Sequence, residues 1–192
     1  MNATVFQVFF FLLIPVGVFI LIKSIKLVRK TFSGAVILEI PYSRKSSVFE
    51  ITKSGVYSIW HKGQIFRKAP LDKFMPRIHN TATNDEIALT PSVFRLNSNN
   101  GYTGRMELFR FTAPEGKFKL DLTEGSSLSL IDRGIYRLFP LKMVDVENYF
   151  IQVRESQPIY YLLIGIISMA LAGFLIIGGL VFGILSDQLF TN

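Results

Sequence analysis

The chain has 192 residues, no cysteine, and a formal charge of +7 from 21 basic and 14 acidic residues. Without thiols it has no disulfide, no thiolate metal site and no cysteine nucleophile. The mild basic excess falls short of the composition of a nucleic-acid binder, and no nucleic-acid partner is expected.

Val5 to Ile22 carries no charged side chain and is just long enough to cross a bilayer. Met1–Thr4 lacks the basic residues of a signal peptide, and KSIKLVRK follows instead of a small-residue cleavage site, so the segment is expected to be a retained anchor. Pro15 and Gly17 invite a kink. Lys23, Lys26, Arg29 and Lys30 come directly after the span and suit a surface rich in anionic lipid. The outer flanks of both spans carry no basic residue, so the positive-inside rule places the central domain in the cytoplasm. A periplasmic or extracellular position is the alternative, because long loops translocate regardless of charge.

From Gly34 the pattern changes to short alternating runs punctuated by turn residues. Residues 35–40, 48–52, 56–61, 64–68, 105–113, 116–122 and 149–154 read as strands, with weaker ones at 87–89 and 93–96. Lys53-Ser54-Gly55, Lys62-Gly63 and Ser98-Asn99-Asn100-Gly101 read as turns. Residues 49–60 (FEITKSGVYSIW) and 109–121 (FRFTAPEGKFKLD) form a faint repeat, aromatic-x-apolar-Thr, turn, Gly-x-aromatic-x-aliphatic. Each is expected to be a hairpin with its aromatic residues on one face. The two hairpins would then supply the facing layers of a sandwich, with Phe49, Ile51, Tyr57, Ile59, Phe109, Phe111, Phe118 and Leu120 in the core. Between 123 and 148, Leu128 and Leu130 suggest a strand start and Pro140 a break.

The candidate chemistry is sparse. His61 and His79 lack a metal-binding spacing, and a base role for either would need Asp72 or Asp85 nearby. Asp85-Glu86 lies in a Thr/Asn-rich loop that reads as solvated. No phosphate loop, nucleophile elbow or other enzyme signature occurs, and no metal or cofactor is expected. The most distinctive polar stretch is 61–79, where Lys62, Arg67, Lys68, Lys73 and Arg77 are interleaved with Phe66, Phe74 and Met75. It suits anionic headgroups or an acidic partner, or else is a solvated connection.

Ile159 to Leu185 is the second span, again uncharged. Gly165, Ser168, Ala172, Gly179 and Gly183 line one of its faces, which would let another helix approach closely. No Asp, Glu, Lys, Arg or His falls within either apolar stretch, which argues against a transporter acting alone.

The expected architecture is therefore mainly β. An antiparallel β-sandwich or barrel-like domain (34–155) is flanked by two transmembrane helices, the first with its basic extension (1–31) and the second at 158–186. The expected function is a non-catalytic binding or scaffold protein of a bacterial inner membrane. Its partners would be membrane lipids and a protein, or a second copy of the chain through the second span. The alternatives are a subunit of an envelope transport, secretion or toxin-immunity system, and a membrane-bound hydrolase.

Overall fold

The computed structural model describes residues 3–65, 70–93, 95–127 and 146–190. These form two units, a helix pair (residues up to 33 and from 157) and a β domain between them (34–156). Arg67, Lys68 and the expected strand start and break at 128–140 lie outside the described residues.

In the helix pair, α1 (Ala3–Thr31) runs unbroken through Pro15 and its basic extension, and α2 is Tyr160–Phe190. Both are long and apolar enough to cross a membrane. They present large apolar side chains outward, with Phe19 62%, Ile167 69% and Phe174 79% exposed. Water tolerates no apolar surface of that extent on a soluble protein, whereas lipid does.

Seven-residue steps organise the contact between the helices. Gly17, Ser24 and Thr31 on α1 are buried, as are Gly165, Ala172, Gly179 and Ser186 on α2. A Cβ on Gly165 would meet Val28, one on Gly179 would meet the Phe10 carbonyl, and one on Gly183 would meet the Phe11 ring. A heptad repeat of small residues on both helices keeps one seam in contact along the pair. Ser24 and Ser186 donate to the carbonyls of Ile20 and Gly183 in their own helices, so neither buried hydroxyl is left unsatisfied.

The β domain holds two antiparallel sheets. Sheet A has the order β1 (Val36–Pro41), β10 (Phe150–Glu155), β3 (Gly55–Gln64), β8 (Thr103–Ala113) and β6 (Thr90–Pro91), and β7 (Asn97–Asn99) also pairs with β8. Sheet B has the order β2 (Ser46–Ile51), β9 (Gly116–Glu124), β4 (Phe74–Asn80) and β5 (Glu86–Ile87). One apolar core joins their inner faces and contains all eight residues expected there.

The two expected hairpins are not hairpins. β2 pairs with β9 and β3 pairs with β8, so the chain changes sheets at Lys53-Ser54 and again at Pro114-Glu115. Each repeat unit thus gives one strand to each layer. The inward face is the same either way, since Phe49 and Ile51 meet Tyr57 and Ile59 across the core instead of beside them.

Lys62-Gly63 is not a turn either, because β3 continues to Gln64. Gly63 is needed there for a different reason: a Cβ would overlap the Tyr149 ring. The stretch 74–80, expected as connection, is strand β4. Its Pro76 is tolerated because β5 pairs only with Ile78 and His79, leaving Pro76 at an open edge on that side.

In β8 a bulge falls opposite Ile59/Trp60, so that Leu108 and Phe109 both enter the core. Met106 and Leu108 therefore point inward on one side of the bulge, and Phe109, Phe111 and Ala113 on the other. Arg105, Glu107 and Arg110 are left on the outer face.

Candidate functional site: the outer face of sheet A

Strand register assembles a polar grid on this face. One row crosses the sheet as Glu39, Gln152, Trp60 and Glu107, and a second as Phe150, Lys62, Arg105 and Ser98. A third row brings Arg154, Ser58 and Arg110 together. Outward polar positions of a sandwich are normally wet. Here Ser58, Trp60, Glu107, Gln152 and Arg154 are each at most 5% exposed.

Specific partners hold the grid in place. Glu107 takes two hydrogen bonds from the Arg110 guanidinium, at 2.9 and 3.0 Å, and one from Ser92 at 2.7 Å. Arg154 donates to Gln152 at 3.1 Å and to the Gly34 carbonyl at 2.6 Å. Gln152 in turn donates to Glu39, which also accepts from Lys62 at 2.8 Å. Burial pushes the Glu39 carboxyl up, but the Lys62 and Gln152 hydrogen bonds outweigh it and hold it below the usual range. The Arg105 and Arg154 guanidinium carbons lie over the Trp60 ring, 5.8 and 5.6 Å from its centroid. Burial first and the Arg105 charge second pull the Arg154 pKa down, against the opposing pull of Glu39.

Beside the grid is a groove of about 370 Å³. Lys62, Arg105, Arg154, Gln152, Asn100 and Thr103 are among its lining, and none of its described lining residues is a carboxylate. The rim is pre-organised. The Asn100 side-chain oxygen accepts from the Tyr102 and Thr103 amides and the Thr103 hydroxyl, and Gly101 takes the positive φ that the turn requires.

The described members of the basic stretch do not share this face. Lys62 lies on it, whereas Arg77 is exposed on the outer face of sheet B, 3.7 Å from Glu86. Lys73 is exposed in the bend before β4. The reason is topological: the chain crosses from sheet A to sheet B between β3 and β4. Phe74 and Met75, expected among those cations, pack against the core.

His61 is buried on the inner face of sheet A, stacked on Tyr149 and sharing a 3.2 Å hydrogen bond with the Tyr42 hydroxyl through Nδ1. Burial pushes its pKa down to about 4. His79 lies in sheet B, paired in register with Glu86 and Lys119. Among the described residues no three histidine or carboxylate side chains are grouped to hold a metal ion.

Of the other predicted positions, Gly165, Ala172, Gly179 and Gly183 turn towards α1 of the same chain, while Ser168 is half-buried. Lys23 lies over Phe19, and Lys30 lies over the Tyr161 ring at 4.5 Å. Lys26 and Arg29 continue the basic turn of α1.

Sequence reasoning missed Arg105, Gln152 and Arg154. The available signal was a polar residue at alternate strand positions, as in Trp60-x-Lys62 and Gln152-x-Arg154, which any wet sheet face also shows. No protein-family model matches the chain, nor does any curated protein.

Proposed function

We propose that this chain is a two-pass protein of a bacterial inner membrane that presents a non-catalytic β-sandwich binding module, cytoplasmic by the positive-inside rule. Its partner engages the groove on the outer face of sheet A. Convergence of Lys62, Arg105 and Arg154 on one pre-organised groove with no described acidic lining carries the reading. The basic C-terminal end of α1 and the outward apolar faces of both helices support the membrane assignment.

The test uses the full chain in cells, with a photo-crosslinking residue at Ser98, in the groove lining, or at Lys73, outside it. Carbonate-washed membranes should retain the protein. A discrete adduct should form from position 98 and not from position 73. Extraction by carbonate, or identical adduct patterns from both positions, overturns the reading. Ser98→Cys against Gln188→Cys, at an exposed position near the end of α2, labelled in intact cells with an impermeant maleimide, fixes the side: labelling of Ser98→Cys alone overturns the cytoplasmic assignment.

A further inference from the structure

We propose that the open edge of β2 (Ser46–Ile51) in sheet B pairs antiparallel with the same strand of a second copy of this chain, about a two-fold axis at Val48. The inference is independent of the groove on sheet A and of the seam between the helices.

Backbone alternation shows which groups the edge leaves open. The Leu122 amide donates to the Lys45 carbonyl at 2.8 Å, and the Thr81 amide to the Lys117 carbonyl at 3.0 Å. These bonds extend the β2–β9 and β4–β9 ladders in their own registers. Successive residues of a strand aim their backbone groups to alternate sides. Ser47, Phe49 and Ile51 therefore aim theirs at β9, and Ser46, Val48 and Glu50 aim theirs away from the sheet. No described strand pairs with β2 on that side. Among the described residues, the Ser46 carbonyl alone of these outward groups meets a partner, the Arg44 Nε at 3.2 Å.

A strand edge normally carries a device that keeps a second strand away. β1, the edge of sheet A, has a bulge between Val36 and Leu38 and ends in Pro41. β5, β6 and β7 are only two or three residues long. β2 has six residues in unbroken register, with neither proline nor lysine.

The occupant follows from the edge itself, which is self-complementary. With the axis at Val48, outward residues meet outward residues: Val48 faces its own counterpart, and Ser46 faces the second copy's Glu50. Each such pair can exchange two N–H···O bonds. Val48, 57% exposed, gains an apolar neighbour across the axis. The Glu50 amide takes over the Ser46 carbonyl from Arg44, which leaves that guanidinium beside the Glu50 carboxylate. A register centred on Glu50 would instead set two carboxylates opposite each other, which is destabilising.

The chain has no cysteine, so a single introduced thiol reports on the edge. Val48→Cys and, separately, Lys119→Cys are made in the full chain and oxidised with copper phenanthroline in lysed cells. Paired Cα atoms at position 48 would lie about 5.5 Å apart, within disulfide reach, whereas those at 119, one strand further in on each side, would be about 15 Å apart. The expected result is a linked dimer from Val48→Cys and none from Lys119→Cys. Adding Glu50→Pro to Val48→Cys should slow linking about tenfold, because it removes an outward N–H that a single copy does not use. If that variant fails to fold, Glu50→Lys serves in its place, since it sets like charges beside Arg44.

No linked dimer from Val48→Cys overturns the proposal, as does equal linking from Lys119→Cys. An unchanged rate of linking with Glu50→Pro, in a protein that unfolds at the parent temperature, overturns it as well. A linked product whose mass is not twice that of the chain would place a different protein's strand at this edge and refute self-pairing.

Discussion

The two outer faces of the sandwich are built from the same residue types and end in different states. On sheet B the burial alternates regularly: Val48, Glu50, Arg77, Lys117 and Lys119 face water between the core residues Phe49, Ile78, Phe118 and Leu120. On sheet A the equivalent outward positions Ser58, Trp60, Glu107, Gln152 and Arg154 are nearly inaccessible. A charge on the first face is solvated, so it contributes little and constrains nothing. A charge on the second must be paired and hydrogen-bonded, because leaving it alone in a dry setting costs several kcal/mol. The difference teaches that burial, and not the count of charges, decides which outward charges are held in a fixed geometry.

The largest expected effect tests that contrast directly. Glu107→Ala strips Arg110 and Ser92 of their shared acceptor and should destabilise the domain by about 3 kcal/mol. Glu50→Ala on sheet B should stay within about 0.5 kcal/mol. Denaturant unfolding of both variants would break the comparison if the two losses were alike.

A second test moves one layer inward, to His61. Its folded pKa of about 4 lies below the ordinary histidine value of about 6.5. The unfolded chain therefore takes up a proton that the folded chain refuses, and stability falls as pH drops through that window, by at most about 3 kcal/mol. His61→Phe removes this titration. The stability gap between wild type and variant, read from thermal unfolding at pH 7 and pH 4.5, should shift towards the variant in acid; a constant gap refutes the assignment.

Gly63→Ala should cost about 1–3 kcal/mol, since the new methyl group meets the Tyr149 ring. A melting temperature equal to that of wild type would mean that β3 and Tyr149 are not in this register. The smallest effect should be the same on both faces. Lys62 pairs with Glu39 at 2.8 Å on sheet A and Lys119 with Asp121 at 3.0 Å on sheet B, each pair partly exposed. Replacing either lysine by Met should cost under about 1 kcal/mol. If Lys62→Met cost as much as Glu107→Ala, ion pairing rather than burial would account for the contrast.

Much of the inner architecture was legible because alternation reports burial directly. Phe49-x-Ile51 and Phe118-x-Leu120 point inward in any register, and so does Tyr57-x-Ile59. Strand partners were not legible, because a hairpin and a crossing between sheets bury the same alternate positions. The heptad on α1 was hidden in the same way: Gly17 reads as a kink next to Pro15 until Ser24 and Thr31 are seen one and two repeats further on. The groove lay furthest out of reach. Residues 62, 105, 152 and 154 meet only through the order β10-β3-β8, and that order depends on packing between segments distant in the chain.

That strand order has a consequence for how the domain is made. Phe49 pairs with Phe118 and Ile59 with Phe109, so neither layer can close from neighbouring segments. β1 and β3 are joined only through β10, the last strand before α2. The nascent chain therefore carries its aromatic strands incomplete until almost all of the domain has been synthesised. Loop closure over such separations is slow, and exposed strand edges invite aggregation during the wait. Completion of sheet A is thus tied in time to the arrival of the second apolar helix.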